Sequence, residues 1–277
     1  MLGGMEYEQI TYAVDERIAT ITLNRPYARN GYTSQMADEL AHALAAAGAD
    51  DAVRVVVLTA TGPDFCVGAD LSGGSLSTHD HADDDWLEPA SRATRPMFHL
   101  AKPVIAAVRG AAVGVGSTLL LPADFRLAAT DTRFGFVFSR RGIYPEGGSV
   151  WFLPRIVGMG RALDWMISGR LIPAGEALTG GLVSALYEPD EVLPRAYELA
   201  RELIEKSAPV STAVIRKALY RMSTLDSPEP VFALDSKLIA SCDGNPDAVE
   251  GVVSFLQRRP PEWTGAVSTD QPAFLPW

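Results

Sequence analysis

Three apolar runs constrain the fold of this chain more than any other feature of its sequence. They are "VRVVVLTA" at 53–60, "KPVIAAV" at 102–108 and "FRLAA" at 125–129. None shows the strict alternation of polar and apolar residues that marks a half-exposed strand, so the pattern favours strands buried on both faces. An earlier strand, "ERIATITLNRP", is followed by a segment in which Met36, Leu40 and Leu44 recur at helical spacing. Strands that alternate with helices predict an α/β fold.

The pattern changes near Val192, after which helical periodicity continues without a strand signal. Three segments carry it: "VLPRAYELARELIEK", "VSTAVIRKALYRM" and "PEPVFALDSKLIAS". We therefore predict a core formed by residues 1–205 and a helical C-terminal region formed by residues 206–277.

Charge and composition exclude several classes of partner. The net charge is −10 and no basic face is evident, which argues against binding to nucleic acid. The longest nearly uncharged apolar run, Ala111 to Ala123, is shorter than the roughly 20 residues that a membrane-spanning helix needs. The N-terminus lacks the pattern of a secretory signal, and two cysteines are too few for a disulfide framework. We expect a cytoplasmic protein that contacts neither nucleic acid nor membrane.

One segment, residues 72–96, is polar, acidic and rich in glycine, and it predicts a long loop over a binding site. Within it, "HDHADDD" raises the question of a metal site. Its spacing matches no zinc or calcium motif, so we expect a solvated mobile loop and no metal.

The glycine-rich stretch "GAAVGVGST" resembles a phosphate-binding loop only superficially. It lacks the lysine of the P-loop and the third glycine of the dinucleotide fingerprint. Small residues at this point indicate a helix that starts close to neighbouring backbone. The free N–H groups of its first turn could bind an oxyanion or a phosphate.

Glu146 stands between a proline and two glycines in "GIYPEGGS". The residues alone leave two interpretations open, a solvated turn residue or a base held rigidly at the edge of a cavity.

Several motifs, taken in this order and at these spacings, are similar to those of the crotonase superfamily, the enoyl-CoA hydratase and isomerase enzymes. They are "ITLNRPYARN", "VVVLTATGPDFCVGADL", "KPVIAAVRGAAVGVGSTLLLPADFRLAA" and "FGFVFSRRGIYPEGG". The resemblance covers nearly the whole chain. It implies a spiral of repeated ββα units, a helical C-terminal region that forms trimers or hexamers, and an acyl-CoA thioester as substrate. No separate cofactor is implied, because coenzyme A enters as part of the substrate.

The resemblance also implies an oxyanion hole made by two backbone N–H groups, at Ala69 and Val115. Family members usually carry glycine at the second position, so Val115 is a departure, although any residue except proline can donate its N–H. The backbone positions expected to surround the coenzyme A are Ala28, Val67, Ala69, Asp70 and Leu71.

Hydratases of this family use two glutamates, and the matching positions here hold Thr118 and Phe138. Neither side chain is a carboxylate base. Glu146 matches the lone carboxylate of the Δ3,Δ2-enoyl-CoA isomerases, and one base suffices to move a proton from C2 to C4. We therefore expect an enoyl-CoA isomerase with Glu146 as its catalytic residue. Two alternatives stay open: a hydratase or acyl-CoA hydrolase with atypical residues, and an acyl-CoA-binding protein without turnover.

Overall fold

The computed structural model of the chain describes residues 6–72 and 86–277, and its largest feature is a six-stranded sheet. The strand order is β1-β2-β3-β4-β6-β9. Their bounds are β1 Ile10–Asp15, β2 Ile18–Leu23, β3 Val55–Ala60, β4 Val104–Val108, β6 Phe125–Ala129 and β9 Ala185–Tyr187. A second, three-stranded sheet contains β5 Ala111–Val113, β7 Arg133–Gly135 and β8 Leu171–Pro173.

Strand direction places the ends of the central strands together. β1 pairs antiparallel with β2 through a two-residue turn, Glu16-Arg17, in which both residues have positive φ, as type I′ hairpin turns require. The pairs β2–β3, β3–β4, β4–β6 and β6–β9 are all parallel. The carboxyl ends of these strands therefore meet at one edge, where ligands bind in open α/β sheets.

Helices connect the strands and form the C-terminal region. They are α1 Ser34–Ala49, α2 Pro89–His99, α3 Val115–Thr118, α4 Phe138–Arg141, α5 Ser149–Val157, α6 Met159–Ser168, α7 Ala174–Thr179, α8 Val192–Lys206, α9 Pro209–Met222, α10 Glu229–Ala240 and α11 Pro246–Gln257. A short 3-10 turn spans Pro26–Ala28. No helix in the two described ranges is long and apolar enough to cross a membrane.

Both faces of the large sheet are buried, which explains the uninterrupted apolar runs. In β3, Val56 and Leu58 face the larger core, which contains α1 and α2. Val55 and Val57 face the opposite way, against Val192, Ala196 and Ala200 of α8. Successive residues of a strand point to opposite faces, so each of these four side chains is buried on one side or the other.

A buried arginine joins α9 to the core. Arg216 donates hydrogen bonds from Nε to both carboxylate oxygens of Asp124, at 2.8 and 2.9 Å. Its other nitrogens donate to the carbonyls of Met97, Phe98, Leu100 and Pro122. The side chain is only 5% exposed, so this cluster fixes α9 on the C-terminal end of α2 and on the loop that precedes β6.

The α/β class and the main elements expected from the sequence are confirmed. β2, β3, β4, β6, α1 and the three C-terminal helical segments lie where the patterns predicted them. The trimer and the boundary at residue 205 stay predictions.

The prediction of a loop over the whole of residues 72–96 is wrong at its C-terminal end. α2 begins at Pro89 and buries Ala90, Ala93 and Thr94. Two prolines concealed this helix: Pro89 occupies its first position, where proline is favoured, whereas Pro96 lies inside it, where proline is normally excluded. The "HDHADDD" motif and the expected absence of metal there lie outside the described residues. Elsewhere in the described ranges, no group of three potential metal ligands occurs.

Candidate active site

Two chain segments that carry the expected oxyanion donors run side by side. The N–H of Cys66 donates to the carbonyl of Ala111, and the N–H of Val113 donates to the carbonyl of Cys66, both at 2.9 Å. Cys66 and Ala112 form a parallel bridge through these bonds. Ala69 and Val115 each come three residues after that bridge, so the structure brings the two predicted donors to the same end of the paired segments.

Neither of these N–H groups is bonded to an acceptor among the described residues. The neighbours of Ala69 are paired differently: Tyr32 donates to the carbonyl of Gly68, and Asp70 donates to the carbonyl of Tyr32. Val115 is the first residue of α3, where helix geometry leaves the N–H without an intrahelical acceptor. Both groups can therefore donate to a ligand.

Valine is accommodated at position 115 because Gly114, the residue before it, adopts the positive φ that this turn requires. Gly114 has φ of +58°, whereas Val115 has helical dihedrals and is absent from the described non-glycine residues with positive φ. The side chain of Val115 is packed into the core, with 2% of its surface exposed. The departure from the family's usual glycine thus leaves the N–H in place.

Glu146 lies in a tight turn that leads into α5. Its carbonyl accepts a hydrogen bond from the N–H of Ser149 at 2.9 Å, and the two glycines between them have φ of +57° and +71°. A Cβ atom at Gly147 would lie 2.5 Å from Cγ2 of Thr118, so only glycine allows the turn to pack on α3. The turn therefore holds Glu146 directly beside the helix that provides the Val115 N–H.

The surroundings of Glu146 change its protonation. Burial, together with a smaller contribution from the negative charge of Glu88, raises the pKa of Glu146 to about 7. Burial also raises the pKa of the Cys66 thiol to about 12, and the charge of Glu146 adds to this effect. The pKa of Tyr32 is raised well above its ordinary value, mainly by burial and to a smaller extent by the charges of Cys66, Glu88 and Glu146. Buried Tyr32 and Cys66 and the half-buried Glu88 thus interact with the carboxyl group of Glu146, whose pKa lies near neutrality.

Glu88 belongs to this cluster, and the analysis of motifs missed it. Its Oε1 accepts hydrogen bonds from the N–H of Gly147 at 2.8 Å, the N–H of Ser91 at 2.9 Å and the hydroxyl of Ser91. Its Oε2 accepts from the N–H of Ala90 at 2.6 Å. The sequence "EPAS" contains a usable signal, because proline at the first helical position marks a helix start and the preceding residue as its cap.

The two positions that hold glutamates in the family's hydratases are buried and carry no acid. Thr118 is fully buried, and its hydroxyl donates to the carbonyl of Gly114 at 3.3 Å. Phe138 is 2% exposed at the start of α4. Ser149, next to the turn, has a buried hydroxyl with no hydrogen-bond partner among the described residues.

The expected coenzyme A positions cluster around one turn. The N–H of Val67 donates to the carbonyl of Arg29 at 3.3 Å, which brings the 3-10 turn containing Ala28 next to residues 67–71. Asp70 forms an ion pair with Arg25 at 2.9 Å, and hydrogen bonds from Ser72 and then Arg25 lower its pKa. Asp70 thus fixes this turn, and Leu71 is exposed beside it.

A cavity of about 720 Å³ opens beside Gly147 and Gly148. Its walls come from α2, α5 and α9, together with residues just after α9. The aromatic side chains that line it are Phe98, Trp151, Phe152 and Tyr220. Their rings pack against one another with centroids 4.8–6.4 Å apart, which gives the cavity a rigid apolar wall.

Comparison with known proteins gives consistent matches over almost the whole chain. The sequence profile of the family described as Enoyl-CoA hydratase/isomerase matches residues 13–266. The chain is 37% identical over 247 residues to Enoyl-CoA hydratase ACTT3 of Alternaria alternata, with 89% of this chain and 82% of that protein covered. It is 31% identical over 261 residues to 1,2-epoxyphenylacetyl-CoA isomerase of Escherichia coli (strain K12), covering 93% and 99%. The crystal structure of a probable enoyl-CoA hydratase/isomerase from Mycobacterium abscessus gives a TM-score of 0.86 at 33% identity, covering 92% of this chain and 98% of that one.

Proposed function

Because the chain belongs to the enoyl-CoA hydratase/isomerase family of the crotonase superfamily, we propose that it moves the double bond of a 3-enoyl-CoA to C2, with Glu146 as the only acid and base. The family, the crotonase-like fold and the expectation of a crotonase-type enzyme are confirmed by the profile and by the related structures. The double-bond shift and the roles of individual residues are our proposal.

The observation that carries the proposal is Glu146 itself. It is a half-buried carboxyl group in the turn that packs on α3, the helix that begins with Val115, and its pKa of about 7 suits a group that must both accept and donate a proton at neutral pH. Thr118 and Phe138 provide no second acid at the usual positions, and an allylic shift needs none.

The proposed reaction proceeds in two proton transfers. The thioester oxygen accepts hydrogen bonds from the N–H groups of Ala69 and Val115, and the carboxylate of Glu146 removes a proton from C2. The resulting dienolate carries negative charge on that oxygen, where each donor contributes roughly 10²–10³ in rate. Glu146 then returns the proton to C4. Coenzyme A is part of the substrate, and the proposed contacts to it are Ala28, Val67, Ala69, Asp70 and Leu71.

The aromatic cavity offers room for the acyl group beyond the reacting carbons. It begins at Gly147 and Gly148, directly after the proposed base, and its lining is mainly apolar. We propose that the acyl chain extends along it, so that the double bond lies close to Glu146.

Hydration is a second candidate, and Glu88 is the observation that favours it. It places a second carboxylate near Glu146, which hydration chemistry would use, and one related protein is named an enoyl-CoA hydratase. However, both oxygens of Glu88 already accept hydrogen bonds from backbone or from Ser91. A carboxylate held in this way is poorly placed to activate water.

One experiment separates these functions. Purified protein is incubated with a 3-enoyl-CoA and, separately, with a 2-enoyl-CoA, and double-bond shift and water addition are followed for each. We expect the shift with the first substrate and no 3-hydroxyacyl-CoA with the second. If water addition were the faster reaction, the function would be hydration and not isomerisation. Binding of both thioesters without any conversion would indicate an acyl-CoA-binding protein.

A further inference from the structure

Among the titratable side chains that the structure describes, Glu88 is the one hydrogen-bonded to a residue next to the proposed base. Glu88 accepts a hydrogen bond from the N–H of Gly147, the residue that follows Glu146, although Glu88 and Gly147 lie 59 positions apart in the sequence. The same carboxylate caps the first turn of α2 through Ala90 and Ser91. One side chain therefore joins the start of a helix to the turn that carries Glu146.

We propose that Glu88 is a positioning residue for Glu146. Its hydrogen bond with the Gly147 N–H fixes the turn that carries Glu146, and its carboxylate keeps a negative charge at a fixed place near the base. This proposal rests on the proposed function and deepens it, since it assigns a second acidic residue a role that involves no contact with substrate.

The positioning role follows from the geometry of the turn. Gly147 and Gly148 both have positive φ, and glycines have the largest conformational freedom of any residue, so such a turn is intrinsically loose. The bond from the Gly147 N–H to Glu88 removes that freedom at the residue next to the base. Packing of Gly147 on Thr118, Ala90 and Thr94 holds the other side.

The electrostatic role follows from the groups that face Glu146. Tyr32 precedes α1, Cys66 follows β3 and Glu88 precedes α2, and all three interact with its charge. α2 carries Arg92, which is paired with Asp38, together with Arg95 and His99. The charged residues of α4 and α5 are Arg140, Arg141 and Arg155, of which Arg140 is bonded to the carbonyl of Ser168 and Arg155 to that of Trp151. The negative charge of Glu88 thus opposes ionisation of Glu146 and makes it a stronger base.

Two substitutions separate the two roles. Glu88→Gln removes the charge and keeps an oxygen that can accept the Gly147 N–H. Glu88→Asp keeps a charge and remains a strong helix cap, but its shorter side chain cannot cap α2 and reach Gly147 together. The matched control is Glu39→Gln, because Glu39 also accepts backbone N–H groups, from Glu8, Gln9 and Ile10, and its charge acts on Tyr7 instead.

The first readout is the titration of Glu146, measured by the carbonyl stretch of its protonated carboxyl group in infrared difference spectra. The Glu146→Gln variant assigns the band. In Glu88→Gln we expect the midpoint to fall below about 7 but to stay above the ordinary value of 4.5, because burial is the larger cause of the raised pKa. In Glu39→Gln we expect no change.

The second readout is the pH dependence of kcat/KM for isomerisation, whose rising limb reports the ionisation of the base. We expect the limb to move to lower pH in Glu88→Gln. In Glu88→Asp we expect the limiting rate at high pH to fall by up to about tenfold, the effect of one lost hydrogen bond.

The two readouts distinguish the failure of this proposal from failure of the proposed function. A Glu146 midpoint in folded Glu88→Gln that equals the wild-type value overturns the electrostatic role, whatever reaction the enzyme catalyses. A limiting rate in Glu88→Asp equal to wild type overturns the positioning role. If the wild type does not isomerise 3-enoyl-CoA, the proposed function fails, while the infrared titration still decides whether Glu88 acts on Glu146.

Discussion

At the scale of single residues, burial gives Glu146 the property that the proposed reaction needs. An ordinary glutamate is ionised at neutral pH and is a weak base, whereas a pKa of about 7 provides both protonation states in similar amounts. The motif "PEGG" indicated where this residue lies, but not its protonation, which depends on its burial in the fold and on the charge of Glu88. Glu88 could not be connected to it from the sequence, since their link through Gly147 is a tertiary contact.

We predict that Glu146→Gln lowers the isomerisation rate by about 10²–10⁴, the usual contribution of general acid–base catalysis. Acyl-CoA binding should change little, because the donors at Ala69 and Val115 are backbone groups. Exchange of the C2 proton with solvent should disappear together with isomerisation, which mass spectrometry in heavy water would show. Thr118→Val serves as the control and should retain activity, since it keeps a methyl group against Gly147 and removes a hydroxyl whose bond, among the described residues, goes to the carbonyl of Gly114. Near wild-type turnover by Glu146→Gln would make Glu146 an ordinary turn residue.

The same raised pKa predicts a pH-dependent difference in stability. Between pH 4.5, the ordinary glutamate value, and about 7, the folded protein binds the Glu146 proton more tightly than the unfolded chain. The contribution of this group is therefore fully present below pH 4.5 and is lost as pH rises to about 7. Relative to wild type, Glu146→Gln should gain on the order of 3 kcal/mol of unfolding free energy between pH 4.5 and pH 8. Urea denaturation at both pH values measures this, and a difference independent of pH would contradict it.

At the scale of elements, length and local signals decided which strands and helices could be predicted from the sequence. Long strands such as β3 and long helices such as α8 repeat their pattern often enough to be recognised. β5, β7, β8 and β9 have three residues each, too few for any periodicity to show. α2 was missed because Pro96 would normally end a helix, yet burial of Ala90, Ala93 and Thr94 maintains it.

The anchoring of α9 gives a prediction at this scale. Arg216→Met removes the cation that pairs with Asp124 and the donors to four carbonyl groups. The largely buried carboxylate of Asp124 then keeps the hydrogen bond from the Val104 N–H but loses its charged partner. We expect a loss of about 3–5 kcal/mol in unfolding free energy, the usual effect of breaking a buried ion pair. The matched control is Arg195→Met, whose exposed pair with Glu198 should contribute little to stability. Equal effects in thermal or urea unfolding would show that Arg216 does not anchor the helix.

At the scale of the whole molecule, exposed apolar side chains concentrate on the described C-terminal helices and on α6. Ile239, Val252, Phe255 and Leu256 are 60–78% exposed, and Met159 and Ile167 are more than 60% exposed. Patches of this kind mark surfaces that associate. They support the trimer or hexamer expected from the family resemblance.

We therefore predict that the protein sediments as a trimer or hexamer at micromolar concentration. Phe255→Glu should shift it toward the monomer, because a charge would be buried in the interface. Val14→Glu, at an exposed apolar position on β1, serves as the control and should leave the assembly intact. A wild-type monomer in sedimentation would refute the prediction.

Because Cys66 is buried, Cys242 carries the accessible cysteine thiol of the folded protein. The thiol of Cys66 is inaccessible and its pKa is about 12, so it forms almost no thiolate at pH 8, whereas Cys242 is exposed just after α10. A maleimide dye should therefore modify one thiol in the native protein and both after unfolding, which mass spectrometry can count. Equal modification of both thiols in the native state would contradict this. Cys242 lines a cavity between the C-terminal helices. Fluorescence energy transfer between dyes attached to Cys242 on separate chains can therefore follow the assembly of those chains in real time.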